Sequence, residues 1–200
     1  MYAQVLAATL RIIGFRAGPQ DFPFDQRLTL PLVLLAGGAN ALLFVQVLPL
    51  PTALLMAAAM VGGTALVTRS VLRARAVPER FNQTFNALLA TALALTLLML
   101  PLFAQVAPLL REFAGKPELL EQPEALALPQ GVVFMMNLVN FWNFAVTAHI
   151  FRHAANVQLW IGVIIALVVA FIVLFFVIFA GIVAGVLFGA GAAPVPAPGL

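Results

Sequence analysis

Hydrophobic residues run along this chain in five long stretches, and charged residues fall almost entirely between them. A helix needs about 20 largely apolar residues to cross the hydrocarbon of a bilayer. The pattern therefore predicts an all-α, polytopic membrane protein whose membrane domain, 28–190, is a five-transmembrane-helix bundle, followed by a flexible tail over 191–200. The predicted spans are about 28–48, 52–68, 83–107, 130–151 and 157–188.

The first 27 residues differ from the rest and form a separate N-terminal segment. Apolar residues recur at helical spacing over 1–16, and Arg11 and Arg16 follow toward the end of that run. The run is too short to span a membrane, so we predict an interfacial amphipathic helix on the side of its arginines. A helix packed on the membrane domain is the alternative. Phe22 and Phe24 come next, and both are expected at the level of the lipid headgroups.

Charge is distributed unevenly between the connections. The link between the second and third spans holds four arginines opposed only by Glu79, and short arginine-rich links stay on the cytoplasmic side. With five spans, this predicts a cytoplasmic N-terminus and a periplasmic or external C-terminus, and it places eight of the ten basic residues inside. The same link is a candidate contact for anionic lipid or an acidic partner. Its arginines are Arg69, Arg73, Arg75 and Arg80.

Composition narrows the possible functions. The chain is 64% apolar and 8% charged, whereas soluble domains are about 45–50% apolar and about 25% charged. No cysteine is present, so disulfides, thiolate metal sites and cysteine nucleophiles are excluded. The formal charge of +3 is explained by topology and lipid contact, and no nucleic-acid partner is expected. We find no nucleotide-binding loop, paired carboxylates or Ser/His/Asp set at membrane depth, so we expect neither an enzyme nor a cofactor.

The predicted fourth span carries a polar stripe. A rotation of about 100° per residue brings four polar side chains into one arc of about 120°. One interpretation is a path for a small solute. The other is hydrogen bonding between helices, which stabilises by about 0.6–2 kcal/mol per bond. The four residues are Asn137, Asn140, Asn143 and Thr147, and amides on other spans that could join them are Asn40, Gln46 and Asn86.

The two histidines of the chain, His149 and His153, are four residues apart and share a helix face. This spacing can hold one metal ion between two ligands. The pair lacks a neighbouring acidic ligand, so we interpret it mainly as an interface anchor beside Trp142, Arg152 and Trp160. Metal binding is kept as a weak candidate.

Three stretches of the chain form a recognisable set: RAGPQDFPF (16–24), RFNQTFNALLATALALTLLMLPLF (80–103) and NFWNFAVTAHIFRHA (140–154). They resemble stretches of the Yip-domain (Ypt-interacting-protein-like) membrane proteins, whose bacterial members lie in the inner membrane. The resemblance implies a non-enzymatic protein of the bacterial inner (cytoplasmic) membrane that scaffolds partners or organises the membrane. Its expected partners are the lipid bilayer and a second copy or a membrane protein complex. A small permease or transporter component, with a polar path lined by the fourth-span asparagines, is the alternative function.

Overall fold

The computed structural model describes residues 2–115 and 129–189, and in these two ranges the chain is helical without any β-strand. The predicted tail over 191–200 lies outside the described residues. Six α-helices lie in these ranges, with turns of 3-10 helix at Pro19–Asp21 and Gln26–Leu28 between the first two and at Pro78–Arg80 before the fourth. The α-helices are α1 (Tyr2–Ile13), α2 (Thr29–Phe44), α3 (Leu50–Ala74), α4 (Phe81–Gly115), α5 (Gln130–Ala154) and α6 (Leu159–Phe188).

Five helices are long and apolar enough to cross a membrane, which confirms the predicted multi-pass architecture. Two of them extend by more than one helical turn past the predicted spans. α3 continues to Ala74, beyond residue 68, because arginine side chains can carry their charge away from the apolar region while the backbone stays helical. α4 continues to Gly115 through Pro101 and Pro108. A helical segment in lipid loses less by missing one hydrogen bond than by exposing several backbone groups.

The five long helices form a ring in the order α2, α3, α6, α5, α4, and the contact between α4 and α2 closes it. α4 also contacts α3 across the ring. Hydrogen bonds between helices show which helix ends lie side by side. Asn82 Nδ2 donates to Thr29 Oγ1 at 2.9 Å, which joins the starts of α4 and α2. Arg80 Nη1 donates to the carbonyl oxygen of Ala154 at 3.1 Å, which joins the start of α4 to the end of α5.

This end of the ring is called the arginine end below. It carries the eight basic residues that the sequence placed on one side. They are Arg11, Arg16, Arg27, Arg69, Arg73, Arg75, Arg80 and Arg152.

The N-terminal segment is part of the bundle. α1 contacts α4 and α5, and its Ala8 and Ile12 belong to the same buried cluster as Phe151. The inner face of α1 is therefore packed on the membrane domain, as the second of the two sequence interpretations predicted. A second apolar face, whose residues are one helical turn apart, points outward and is free to meet the membrane interface. It consists of Tyr2, Leu6 and Leu10.

Phe22 and Phe24 have different environments, although the sequence predicted the headgroup level for both. Phe22 is 1% exposed and packs in the core cluster, whereas Phe24 is 66% exposed. Pro23 lies between them and is half-buried. In a regular extended segment, residues two apart lie on the same face. The chain turns here instead, because the N–H of Asp25 donates to the carbonyl oxygen of Pro23 at 3.2 Å, and the two rings therefore face different ways.

Candidate functional site

The arginine end is strongly unbalanced in charge. All eight of its arginines are exposed, and within residues 2–115 and 129–189 none of them forms a salt bridge with a carboxylate. Only three acidic residues accompany them, Asp21, Asp25 and Glu79. Exposed, unpaired guanidinium groups retain their full capacity to bind anions from outside the protein. This end therefore carries an excess of exposed positive charge.

The four predicted contact arginines do not lie in one loop. Arg69 and Arg73 belong to the last turns of α3, Arg75 caps that helix, and Arg80 ends the 3-10 turn before α4. Arg80 is the one that joins two helices, because its Nη1 donates to the carbonyl oxygens of His153 and Ala154 at 3.4 and 3.1 Å. A cation at the C-terminus of a helix is also favoured by the helix dipole.

The segment after α1 is held by side chains that bind its backbone carbonyl groups. Trp142 Nε1 donates to Ile13 at 3.1 Å, and Gln83 Nε2 donates to Phe22 at 3.0 Å. His149 Nε2 lies 3.0 Å from the carbonyl oxygen of Ala17. A carbonyl can only accept, so this contact requires a proton on Nε2. These bonds fix the segment against α4 and α5.

Phe15 is a residue of this contact that the sequence did not single out. It has a φ of 57°, which lies in the left-handed region, and its ring lies 5.3 Å from the rings of both Trp142 and His149, measured between centroids. Gly14, just before it, indicates a turn of the chain. The ring partners of Phe15 lie far away in the sequence, so the sequence gives no sign of this contact. Trp142 and His149, interpreted from the sequence as part of a membrane-interface anchor, thus contact the N-terminal segment.

We expect Trp142→Phe to loosen the N-terminal segment. The substitution keeps an aromatic ring beside Phe15 but removes the donor to Ile13, at a cost of about 1 kcal/mol. Amide hydrogen exchange of residues 2–22 should accelerate by roughly fivefold. The matched control is Trp160→Phe, because Trp160 Nε1 donates only to the neighbouring Gln158 side chain. Equal exchange in the two variants would contradict this role for Trp142.

The histidine pair forms a ring contact. The centroids of His149 and His153 are 4.6 Å apart and the rings are tilted by 67°. Nε2 of His149 is engaged with Ala17, and no group of three or more His, Cys, Asp or Glu side chains that could hold a metal occurs in the part of the chain that the structure describes. With Nε2 of His149 engaged, only its Nδ1 remains to coordinate a metal.

The polar stripe of α5 is divided. Asn140, Asn143 and Thr147 line a groove of about 420 Å³ between the long helices, but Asn137 is exposed and outside that lining. Within the described residues, no side-chain hydrogen bond joins these asparagines to another helix. Most of the groove is apolar, with lining residues such as Leu88 on α4 and Val173 on α6.

The amides predicted on other spans bond within their own helices. Asn40 Nδ2 donates to the carbonyl oxygen of Ala36 at 2.8 Å, and Asn86 Nδ2 donates to Asn82 Oδ1 at 3.3 Å. Gln46 lies two residues past the end of α2, and its Nε2 donates back to the carbonyl oxygen of Leu42 in that helix. The predicted network between these amides and the α5 stripe is therefore not formed. Asn82 makes the interhelical bond instead, to Thr29 at the arginine end.

Comparison with known proteins identifies no relative of this chain. No family model matches the chain, and no significant match is found among curated proteins or solved structures.

Proposed function

We propose that this protein is a non-enzymatic component of the bacterial inner membrane that acts by association, and that its arginine end binds anionic lipid on the cytoplasmic side. The observation that carries the proposal is the set of eight exposed arginines without a described salt bridge. A basic residue near an anionic membrane surface contributes about 1 kcal/mol of attraction. The outward apolar face of α1 borders the same end and would enter the headgroup region.

The groove supports association more than transport of a polar solute. Asn140, Asn143 and Thr147 occupy one side of it, and aliphatic or aromatic side chains occupy most of the rest. A path for a polar solute needs polar groups along its whole length. The resemblance to Yip-domain proteins points to the same kind of function. Scaffolding of a second copy or of a membrane complex belongs to this proposal.

The experiment measures lipid bound to the full-length protein in neutral detergent by native mass spectrometry. Phosphatidylglycerol should bind more tightly than phosphatidylcholine. Changing Arg69, Arg73 and Arg75 together to Gln should weaken phosphatidylglycerol binding by about a hundredfold, since three contributions of about 1 kcal/mol are removed. The same spectra report the mass of the assembly and thus any self-association.

The control variant is Arg111→Gln, because Arg111 is exposed near the far end of α4. It removes the same charge from the opposite end of the bundle and should leave lipid binding unchanged. Equal affinity for the two lipids, or an unchanged affinity in the triple variant, would rule out the arginine end as the lipid-binding surface.

A further inference from the structure

A second cavity, of about 270 Å³, lies at the arginine end between the start of α4, the end of α5 and the turn Pro19–Asp21. Its lining is mostly polar, in contrast to the groove. Arg80 and Asn156 are exposed, so the cavity opens to the outside. Its polar lining residues are Gln20, Arg80, Gln83, Thr84, His153 and Asn156.

Thr84 is the unusual residue of this lining. Its side chain is 1% exposed, yet its hydroxyl has no hydrogen-bond partner within residues 2–115 and 129–189. A buried hydroxyl without a partner is unfavourable, because it has lost its hydrogen bonds to water and gained none in return. Thr84 also belongs to the first turn of α4, where the helix dipole favours a negative charge. The hydroxyl is therefore a donor available to an anion inside the cavity.

Arg80 supplies the positive charge. Its Nη1 is held by the carbonyl oxygens at the end of α5, and a guanidinium has five N–H donors, so several remain for a ligand. The bond to α5 fixes the group at the cavity before any ligand arrives. Such preorganisation reduces the entropy lost on binding.

The other charged groups near the cavity surround His153. Arg152, His149 and Asp21 all act on it electrostatically. Asp21 is the unfavourable neighbour for an anion, but its Oδ2 accepts the N–H of Gly18 at 2.8 Å. Arg80 lines the cavity itself, whereas Asp21 and Glu79 do not.

We propose that this cavity binds a phosphate group, either that of an anionic lipid headgroup or inorganic phosphate. The ionised oxygens of a phosphate group accept hydrogen bonds, and they match a lining that offers a guanidinium and a hydroxyl without a partner. At the end of a membrane-spanning bundle, the phosphate groups within reach are those of the headgroups. The lipid form of this site rests on the proposed function, because it adds one specific site to a surface that attracts anionic lipid.

The decisive variant is Thr84→Val, because it keeps the size and charge of the site and removes only the hydroxyl. The full-length protein is titrated with phosphatidylglycerol in native mass spectrometry and, separately, with inorganic phosphate by ³¹P NMR. We expect the tightest bound lipid to bind about tenfold more weakly, as for a lost hydrogen bond to a charged group. Arg80→Lys keeps the charge but loses the fork of donors, and should weaken the same event.

The matched control is Thr68→Val, since the hydroxyl of Thr68 is also buried without a partner but lies on α3, outside the cavity. Thermal unfolding verifies that all variants are folded. Weakened lipid binding in Thr84→Val alone supports a headgroup site, and weakened binding of inorganic phosphate supports a site for the free ion.

Unchanged binding of both probes in Thr84→Val overturns the proposed site. This result can be distinguished from the result expected if the proposed function itself is wrong. General attraction of lipid to the arginine end would still be lost in the triple arginine variant and retained in Thr84→Val, which alters no charge.

Discussion

Gly162→Ala is expected to destabilise the bundle by about 1–3 kcal/mol, although it adds only one methyl group. A Cβ atom at Gly162 would lie 2.7 Å from the carbonyl oxygen of Ala148 and 3.1 Å from Cβ of Arg152. These are backbone and near-backbone atoms of α5, which cannot move aside as a flexible side chain can. The two helices would have to separate at the arginine end.

Equilibrium unfolding in mixed detergent micelles measures this effect. The control is Gly38→Ala, because a Cβ atom at Gly38 in α2 would meet nothing within 4 Å. There alanine should be neutral or should stabilise by up to about 1 kcal/mol, since glycine is a poor helix former. The two substitutions should thus change stability in opposite directions. The same sign for both would refute a close α5–α6 contact at Gly162.

Phe22→Ala is expected to cost about 3–5 kcal/mol of stability, as for other buried phenylalanines. The ring packs in the core cluster with Leu28 and Phe85, so its loss leaves a cavity under the N-terminal segment. The carbonyl oxygen of Phe22 accepts a hydrogen bond from Gln83, and Gln83 also lines the polar cavity at Thr84. Proteolysis of the segment over 2–25 should therefore begin at lower temperature in this variant.

Phe24→Ala provides the comparison, because it removes the same side chain two residues away at an exposed position. Its effect should remain within about 0.5 kcal/mol. Similar losses in both variants would mean that the N-terminal segment is not seated as the structure places it.

Several features of the fold were predictable because they depend on local sequence. The transfer of apolar residues into lipid is summed along one segment, so hydropathy alone located all five spanning helices. Their ends were predicted less well. α4 passes through Pro101 and Pro108, because a helix in lipid tolerates one missing hydrogen bond better than an interruption.

The candidate site was only partly predictable, because its contacts join distant parts of the chain. Arg80 was singled out by its charge, but nothing in the sequence links it to the carbonyl groups of His153 and Ala154. Thr84 resembles any helical threonine until its neighbours are known. The asparagines of α5 share a face, as the periodicity predicts, but only the packing of the other helices determines which of them line the groove.

The sequence by itself determined that this is a multi-pass, all-helical membrane protein with its arginines gathered at one end, since segment hydrophobicity and charge are properties of residues in order. Only the tertiary structure decided the order of helices in the ring, the seating of α1 and Phe22 against α4 and α5, and the polar cavity at Thr84. These features depend on shape complementarity between side chains that are far apart in sequence. Lipid solvates an apolar helix surface as well as a neighbouring helix does, so the fit between side chains determines which helices pack together.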